Sequence, residues 1–454
     1  MDANYHTIKK NSLTHNCYIL MLSLIIGALA GISSAIFIYL YNLFHNLFFS
    51  GKISFLYNPS EYTTLSPFGF LIIFIPVIGS IIVAFLIKNI APDAKGSGVP
   101  QVMKAIIINK GYINPITGII KFFTSSISLG SGGSIGIEGP ISLIGATISS
   151  IFGKIRTITY QEKTSLLAAG AGAGIATIFD TPLAGFTFAI ELLIVKFNAK
   201  NIMPVAAAVT SSIYINKLFN ITNPFLNIIS IPTMTSATHY FDIILIIVLG
   251  VISGLWALLF IQALYFTEDF FNKLSNNYYI RHSLAMLIVG IMIFLFAKFS
   301  GQYHIEGIGH ATIISILKNI LSNPYFLLLL LIAKLLATCL TLGTGASGGI
   351  LSPTLFMGAC LGGLFAIICQ KLFPFVDINN TYFILAAMSA MLAGVTGAVL
   401  TSIIMLIELT SSFNSILFLL LASSISYFIR KTFCYNNIYT KNLQRQGIIY
   451  PYSL

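Results

Sequence analysis

Residues 68–87 run for twenty positions without a charged side chain, and residues 243–267, 283–297 and 412–429 are likewise uncharged. The longer of these meet the roughly 20-residue requirement for a helix that spans a bilayer. Only 8% of the chain is charged, its hydrophobic share is 56%, and its mean hydropathy is +0.90. A soluble globular chain carries about 25% charged residues. So little charge cannot cover a water-facing surface, and most of the outside must face lipid. Segments 122–136, 139–153 and 165–186 are shorter and broken by Gly and Pro. Broken helices are tolerated at membrane depth only where protein or a water-filled cavity surrounds them. The expected fold is therefore an all-α polytopic membrane protein with many tilted and broken helices.

The net charge of +11 is scattered along the chain. Lys9 and Lys10 near the start, and Arg430, Lys431, Lys441 and Arg445 near the end, place both termini in the cytoplasm by the positive-inside rule. A basic surface also gathers anions. Nothing points to nucleic acid. The five cysteines show no CxxC spacing and read as small buried hydrophobes. The seven histidines never pair at metal-ligand spacing, and HExxH is absent, so no metal and no cofactor is expected. An aspartyl-type membrane enzyme needs two membrane aspartates, and only Asp180 lies in apolar surroundings. The reading is of a protein that is not an enzyme.

The chain repeats itself. Residues 129–146, LGSGGSIGIEGPISLIGA, match 342–359, LGTGASGGILSPTLFMGA, at a constant offset of 213. Gly27 and Gly31 match Gly250 and Gly254, Gly96 and Gly98 match Gly307 and Gly309, and Ile190-Glu191-Leu192 matches Ile407-Glu408-Leu409. The order is the same in both halves, which indicates a duplicated unit. The expected organisation is a cytoplasmic segment at 1–16, a first membrane repeat at 17–222, a connection at 223–239, a second repeat at 240–430, and a C-terminal segment at 431–454. Transporters with duplicated halves place their site between the repeats, at paired Gly/Pro-interrupted segments.

Three stretches combine a Gly-rich turn with proline and an apolar run: Gly96-Ser97-Gly98-Val99-Pro100, Gly136-Ile137-Glu138-Gly139-Pro140 and Gly349-Ile350-Leu351-Ser352-Pro353. Proline suits the first turn of a helix, where its missing N–H costs nothing. Each stretch reads as the start of a helix inside the membrane. Helix N-termini present free N–H groups and partial positive charge. Several converging in a dry interior make an anion site without a full positive charge, which holds the ion loosely enough to release it.

Of the 13 acidic residues, Asp2, Glu61, Asp93, Glu162, Glu268, Asp269, Glu306 and Asp377 fall in polar stretches and are expected in solvated loops. Asp242 is expected to cap a span, and Asp180 to cap the helix that follows Thr181-Pro182. Glu191 and Glu408 are expected to serve as structural hydrogen-bond partners. Glu138 sits among the N–H groups proposed to hold the anion, so its carboxylate would compete for the same donors. Protonation would free it to swing away, which makes it a candidate gate that links proton to anion occupancy.

These motifs resemble the CLC family of chloride channels and chloride/proton exchangers. The likeness rests on GSGVP at 96–100, GIEGP at 136–140, AGAGIATIFDTPLAGFTFAIE at 171–191, GGILSP at 348–353 and NIYTKNLQRQG at 437–447. It runs from about residue 20 to residue 445. It implies two inverted repeats, a homodimer with one pore in each subunit, and a prokaryotic type without C-terminal regulatory domains in the bacterial inner membrane. It further implies that the hydroxyl of Ser97, the phenol of Tyr439 and the backbone N–H groups of Ile350 and Leu351 hold chloride, with Glu138 as the gate. Four positions depart from the family pattern, one of them Asp180, where many members have Asn. Ile137 stands where the family usually has Arg or Lys, and Leu351 where it usually has Phe. Leu192 stands where proton-coupled members often carry an inner glutamate. The expected function is chloride transport, either as chloride/proton antiport or as a passive gated channel.

Overall fold

The computed structural model describes residues 2–154, 158–195, 198–219, 240–374 and 379–449. The side chains of residues 2–13 and of Tyr240 lie outside that description, as do the expected connection at 223–239 and Asp377. Among the described residues the chain is helical, without strands.

Eight helices form the first repeat: α1 (Asp2–His45), α2 (Ile75–Asn89), α3 (Val99–Ile107), α4 (Pro115–Gly130), α5 (Glu138–Phe152), α6 (Tyr160–Phe179), α7 (Pro182–Phe188) and α8 (Ala199–Leu218). Eight more form the second: α9 (Tyr240–Leu274), α10 (Tyr278–Ser300), α11 (His310–Leu317), α12 (Pro324–Gly343), α13 (Leu351–Leu372), α14 (Asn380–Thr396), α15 (Val399–Thr410) and α16 (Ile416–Phe433). A short α17 (Ile438–Arg445) closes the described chain. Helix α1 runs unbroken through residue 16, and α16 through residue 430, where the sequence suggested boundaries. Seven helical stretches among the described residues are long and apolar enough to cross a membrane. This is a multi-pass membrane protein. On α2, Phe70 and Leu71 in the preceding turn and Ile78, Ile81 and Phe85 in the helix stay exposed, as a lipid-facing surface requires.

The repeats fold alike because they bury the same small residues. An added Cβ at Gly27 or Gly31 of α1 would stand 2.0 Å from Ala208 O or 2.9 Å from Ser212 O of α8. At Gly250 or Gly254 of α9 it would stand 3.1 Å from Ala422 O or 2.9 Å from Ser426 O of α16. Small residues at these crossings let helix backbones touch, the usual packing device where lipid offers no hydrophobic drive.

The halves are joined by reciprocal bonds. Glu191, in the π-helical turn after α7, accepts from Leu400 N (3.1 Å), Thr401 N (2.9 Å) and Thr401 Oγ1 (2.8 Å) at the start of α15. Glu408 of α15 accepts from Leu183 N (2.9 Å) and Ala184 N (2.7 Å) at the start of α7. Each glutamate satisfies the free N–H groups of the other repeat's helix, and contacts exchanged i to j and j to i mark a two-fold relation. The two half-buried carboxylates thus have the structural role expected of them. Asp180 does not cap α7. It ends α6 in the left-handed conformation, φ +54°, and accepts from Asn216 Nδ2 at 3.3 Å. Thr181 occupies the cap position instead.

The repeats are inverted. Near one end of α1, His15 meets Glu162 at 2.8 Å, and the neighbouring Tyr160 hydroxyl donates to Ile106 O of α3 at 2.5 Å. Near the other end, His45 packs beside Thr63 and Glu306. At about 1.5 Å per residue, roughly 45 Å of helix separates His15 from His45. The Gly96/Gly98 region and its counterpart at Gly307/Gly309 therefore lie toward opposite faces.

Candidate anion site

All three Gly-rich stretches meet at the centre. Gly96 N–H donates to Ala346 O (3.2 Å) and Gly348 N–H to Gly96 O (3.3 Å), while Gly136 and Gly349 exchange both backbone bonds, at 2.9 and 2.6 Å. These bonds satisfy the backbone that the helix breaks would otherwise leave unpaired. The first and second stretches touch without side chains between them. A Cβ at Gly98, where φ is +96°, would stand 2.2 Å from Gly139 O, and one at Gly139 would stand 1.8 Å from Ser97 O. Gly139→Ala is therefore expected to lose the folded pore, because the clash is with backbone. Overpacking of a rigid site costs about 1–3 kcal/mol, and a lower melting temperature in detergent is the check.

The three prolines stand in the first turns of their helices: Pro100 of α3, Pro140 of α5 and Pro353 of α13. Each helix N-terminus thus points into the junction, as read from the sequence. Glu138 opens α5 and is fully buried. Its carboxylate reaches across to α13, where Leu351 N–H donates to Oε1 and Ser352 Oγ donates to Oε2 at 3.0 Å. A carboxylate there occupies the donors that a bound anion would use. Ile350 is the N-cap residue of α13, immediately before Leu351.

Tyr439, buried to 1% exposure in α17, lies within electrostatic reach of Glu138. Asn437 caps α17 by accepting from Tyr439 N and Thr440 N at 2.9 and 2.8 Å. The Tyr265 hydroxyl holds Ile438 O at 2.5 Å, and Arg445 pairs with Asp269 and lies 3.7 Å from Glu268. The two acids are thus ion-paired rather than simply solvated. The pairs are partly exposed, worth about 0–1 kcal/mol each, and serve mainly to orient α17.

Ser97 and Ile350 line a cavity of about 460 Å³ with Lys95, Gln101, Lys104 and Asn442. This vestibule lies toward the His15 end of α1. Two lysines, Lys95 and Lys104, and two acids, Asp93 and Glu268, line it together.

The structure adds two residues that a search for buried acids misses. Lys121 of α4 is fully buried and donates to Ala94 O (3.1 Å) and Gly96 O, holding the loop before Ser97. Lys334 of α12, its repeat counterpart, is fully buried and donates to Ile305 O (3.0 Å) and Gly307 O (2.9 Å). A lysine inside each apolar segment at the 213-residue offset was the available signal. Arg430 also proves to be a buried staple rather than a surface charge: its guanidinium holds Gly394 O and Tyr435 O, both at 2.9 Å.

The voltage-gated chloride channel family matches residues 79–431, which carry all three helix-start motifs. The chain belongs to the CLC family. The H(+)/Cl(−) exchange transporter ClcA of Vibrio cholerae serotype O1 (strain M66-2) is 30% identical over 413 residues, 89% of this chain and 84% of that protein. ClcA of Vibrio campbellii is 26% identical over 98% of this chain and 93% of its own length. A slow cyanobacterial Cl−/H+ antiporter superposes with a TM-score of 0.81 at 24% identity, over 94% of this chain and 97% of that one. A CLC-type fluoride/proton antiporter does so with 0.74 at 23% identity, over 93% and 97%. These superpositions establish the CLC fold, and the bacterial relatives establish its prokaryotic type. The departures at Ile137, Leu351 and Leu192 are buried apolar side chains in it.

Proposed function

We propose that this CLC chain exchanges chloride for protons across the bacterial inner membrane, as a homodimer with one pore in each subunit and both termini cytoplasmic. The observation that carries the reading is the Glu138 carboxylate, fully buried and bound to the N-terminus of α13 from the other repeat. The relatives named as exchangers support it. Chloride enters through the vestibule and is held by the Ser97 hydroxyl, the Tyr439 phenol and the N–H groups of Ile350 and Leu351. Ionised Glu138 blocks the onward path by taking the α13 donors. When it binds a proton, its affinity for those donors falls, the side chain swings out, and chloride replaces it. One group thus serves proton and anion in turn. No cofactor takes part.

The alternative is a passive gated channel, favoured by Leu192, which stands buried where many exchangers carry an acid and cannot carry a proton. Purified protein in liposomes under a chloride gradient separates the two. Proton movement against its own gradient establishes exchange, chloride flux without it establishes a channel, and no chloride flux overturns both. Leu192→Glu is expected to raise proton flux several-fold while leaving chloride flux nearly constant, measured in the same liposomes.

A further inference from the structure

Glu306 was expected in a solvated loop, yet it is 8% exposed. It sits beside the Gly307/Gly309 region, the repeat counterpart of the Gly96/Gly98 stretch. At the offset that superposes those glycines, Glu306 falls on Lys95. Lys95 of the vestibule is therefore matched, at the opposite membrane face, by an acid.

Around that acid the structure gathers groups that carry protons. Thr63 Oγ1 donates to Glu306 Oε1 and lies 3.4 Å from His45 Nε2, and His45 Nε2 is 3.6 Å from Glu306 Oε1. The three form a continuous hydrogen-bonding line. His45 is clamped flat between Tyr57 and Phe49, with ring centroids 3.7 and 4.9 Å away. Glu306 Oε2 and His45 Nδ1 are buried and have no hydrogen-bond partner among the described residues. Both residues line a cavity of about 20 Å³, room for a single water. Unpaired buried polar atoms are costly and call for a ligand.

We propose that His45, Thr63 and Glu306 form a second protonatable site, at the face opposite the anion vestibule, whose proton occupancy is transmitted along α13 to the donors at its N-terminus, with or without a titrating side chain at position 138. The proposal rests on the transport reading above. The proton comes from water at that face, forms an O–H bond on the Glu306 carboxyl, and leaves by the same route. His45 is the relay, with Nε2 beside Thr63 Oγ1 and Nδ1 buried at the cavity without a partner among the described residues.

The titratable groups facing the site come from every surrounding element. They are Tyr41 on α1, Tyr57, Glu61 and Tyr62 in the segment after it, Tyr303 and His304 before α11, and His310 on α11. Lys334 on α12 lies within electrostatic reach of both Glu306 and Cys360 of α13. With Glu306 ionised, its charge offsets the buried Lys334 ammonium; with a proton bound, that offset is lost. Lys334 Nζ lies 4.9 Å over the ring of Phe356 on α13. Phe356 is five residues, about 8 Å along the helix, from Leu351, whose N–H holds Glu138.

The test uses Glu138→Gln protein, whose gate no longer titrates, compared with Glu138→Gln/Glu306→Gln and Glu138→Gln/Thr63→Val. Chloride flux from liposomes is measured across a range of symmetric pH. The expected result is a pH-dependent flux in Glu138→Gln, loss of that dependence with Glu306→Gln, and a shifted midpoint with Thr63→Val. Infrared difference spectra on acidification in detergent read the site without any transport. A protonated-carboxyl band present in Glu138→Gln and missing when Glu306→Gln is added supports the site even where flux fails. Absence of that band, or a pH dependence unchanged by Glu306→Gln, overturns the proposal.

Discussion

Glu138→Gln is expected to reduce chloride-driven proton movement to the leak of empty liposomes while chloride still crosses. The amide keeps the shape of the side chain and cannot carry a proton. It also removes a competitor. Hydrogen bonds to a charged group are worth about 1.5–3 kcal/mol, and the carboxylate takes two such donors, Leu351 N–H and Ser352 Oγ. Freeing even one of them corresponds to roughly 10–100-fold tighter chloride binding, at about 1.4 kcal/mol per tenfold. Calorimetric titration of the detergent-solubilised variant with chloride measures this directly. Unchanged proton coupling in the variant would remove Glu138 from the exchange path.

Lys121→Met is expected to weaken chloride binding about tenfold or more and to lower stability by about 2–6 kcal/mol, since two carbonyls lose their donor and each buried unsatisfied group costs about 1–3 kcal/mol. Methionine keeps the length and loses the donor, so Ala94 O and Gly96 O are left unpaired and the loop carrying Ser97 is released. Lys334→Met supplies the contrast. It releases Ile305 O and Gly307 O in the second repeat. A similar loss of stability is expected, with a smaller loss of chloride affinity, because Lys334 reaches the anion site only indirectly, through Phe356 of α13. Thermal unfolding in detergent and chloride titration on both variants separate the two effects. Equal losses of affinity would mean that the lysines act through global stability alone.

The lesson for reading such a chain lies in what each type of signal encodes. Glu191 and Glu408 could be assigned a bonding role from their matched positions in two apolar runs. Their partners could not, because each bonds a helix more than 200 residues away. Glu306 was misplaced because a short polar stretch, Gln302 to Gly309, looks solvated, whereas Thr63, His45 and Lys334 arrive from three other segments to bury it. Asp180 was misassigned by one position, since a residue before Thr-Pro can end one helix as readily as begin the next.

By itself, the sequence determined the solvent, the repeat and the helix starts that meet inside the protein. Scarce charge forces lipid contact, a shared order of glycines reveals duplication, and Gly-rich turns with proline announce helix starts inside a membrane. These are local or periodic signals, legible in one dimension. The tertiary structure alone decided which groups meet. It turned the repeats over, brought Glu138 to the donors of α13, and placed buried lysines under both glycine loops. In a membrane interior every polar atom must find a partner inside the protein, and the partner is chosen by packing between distant segments.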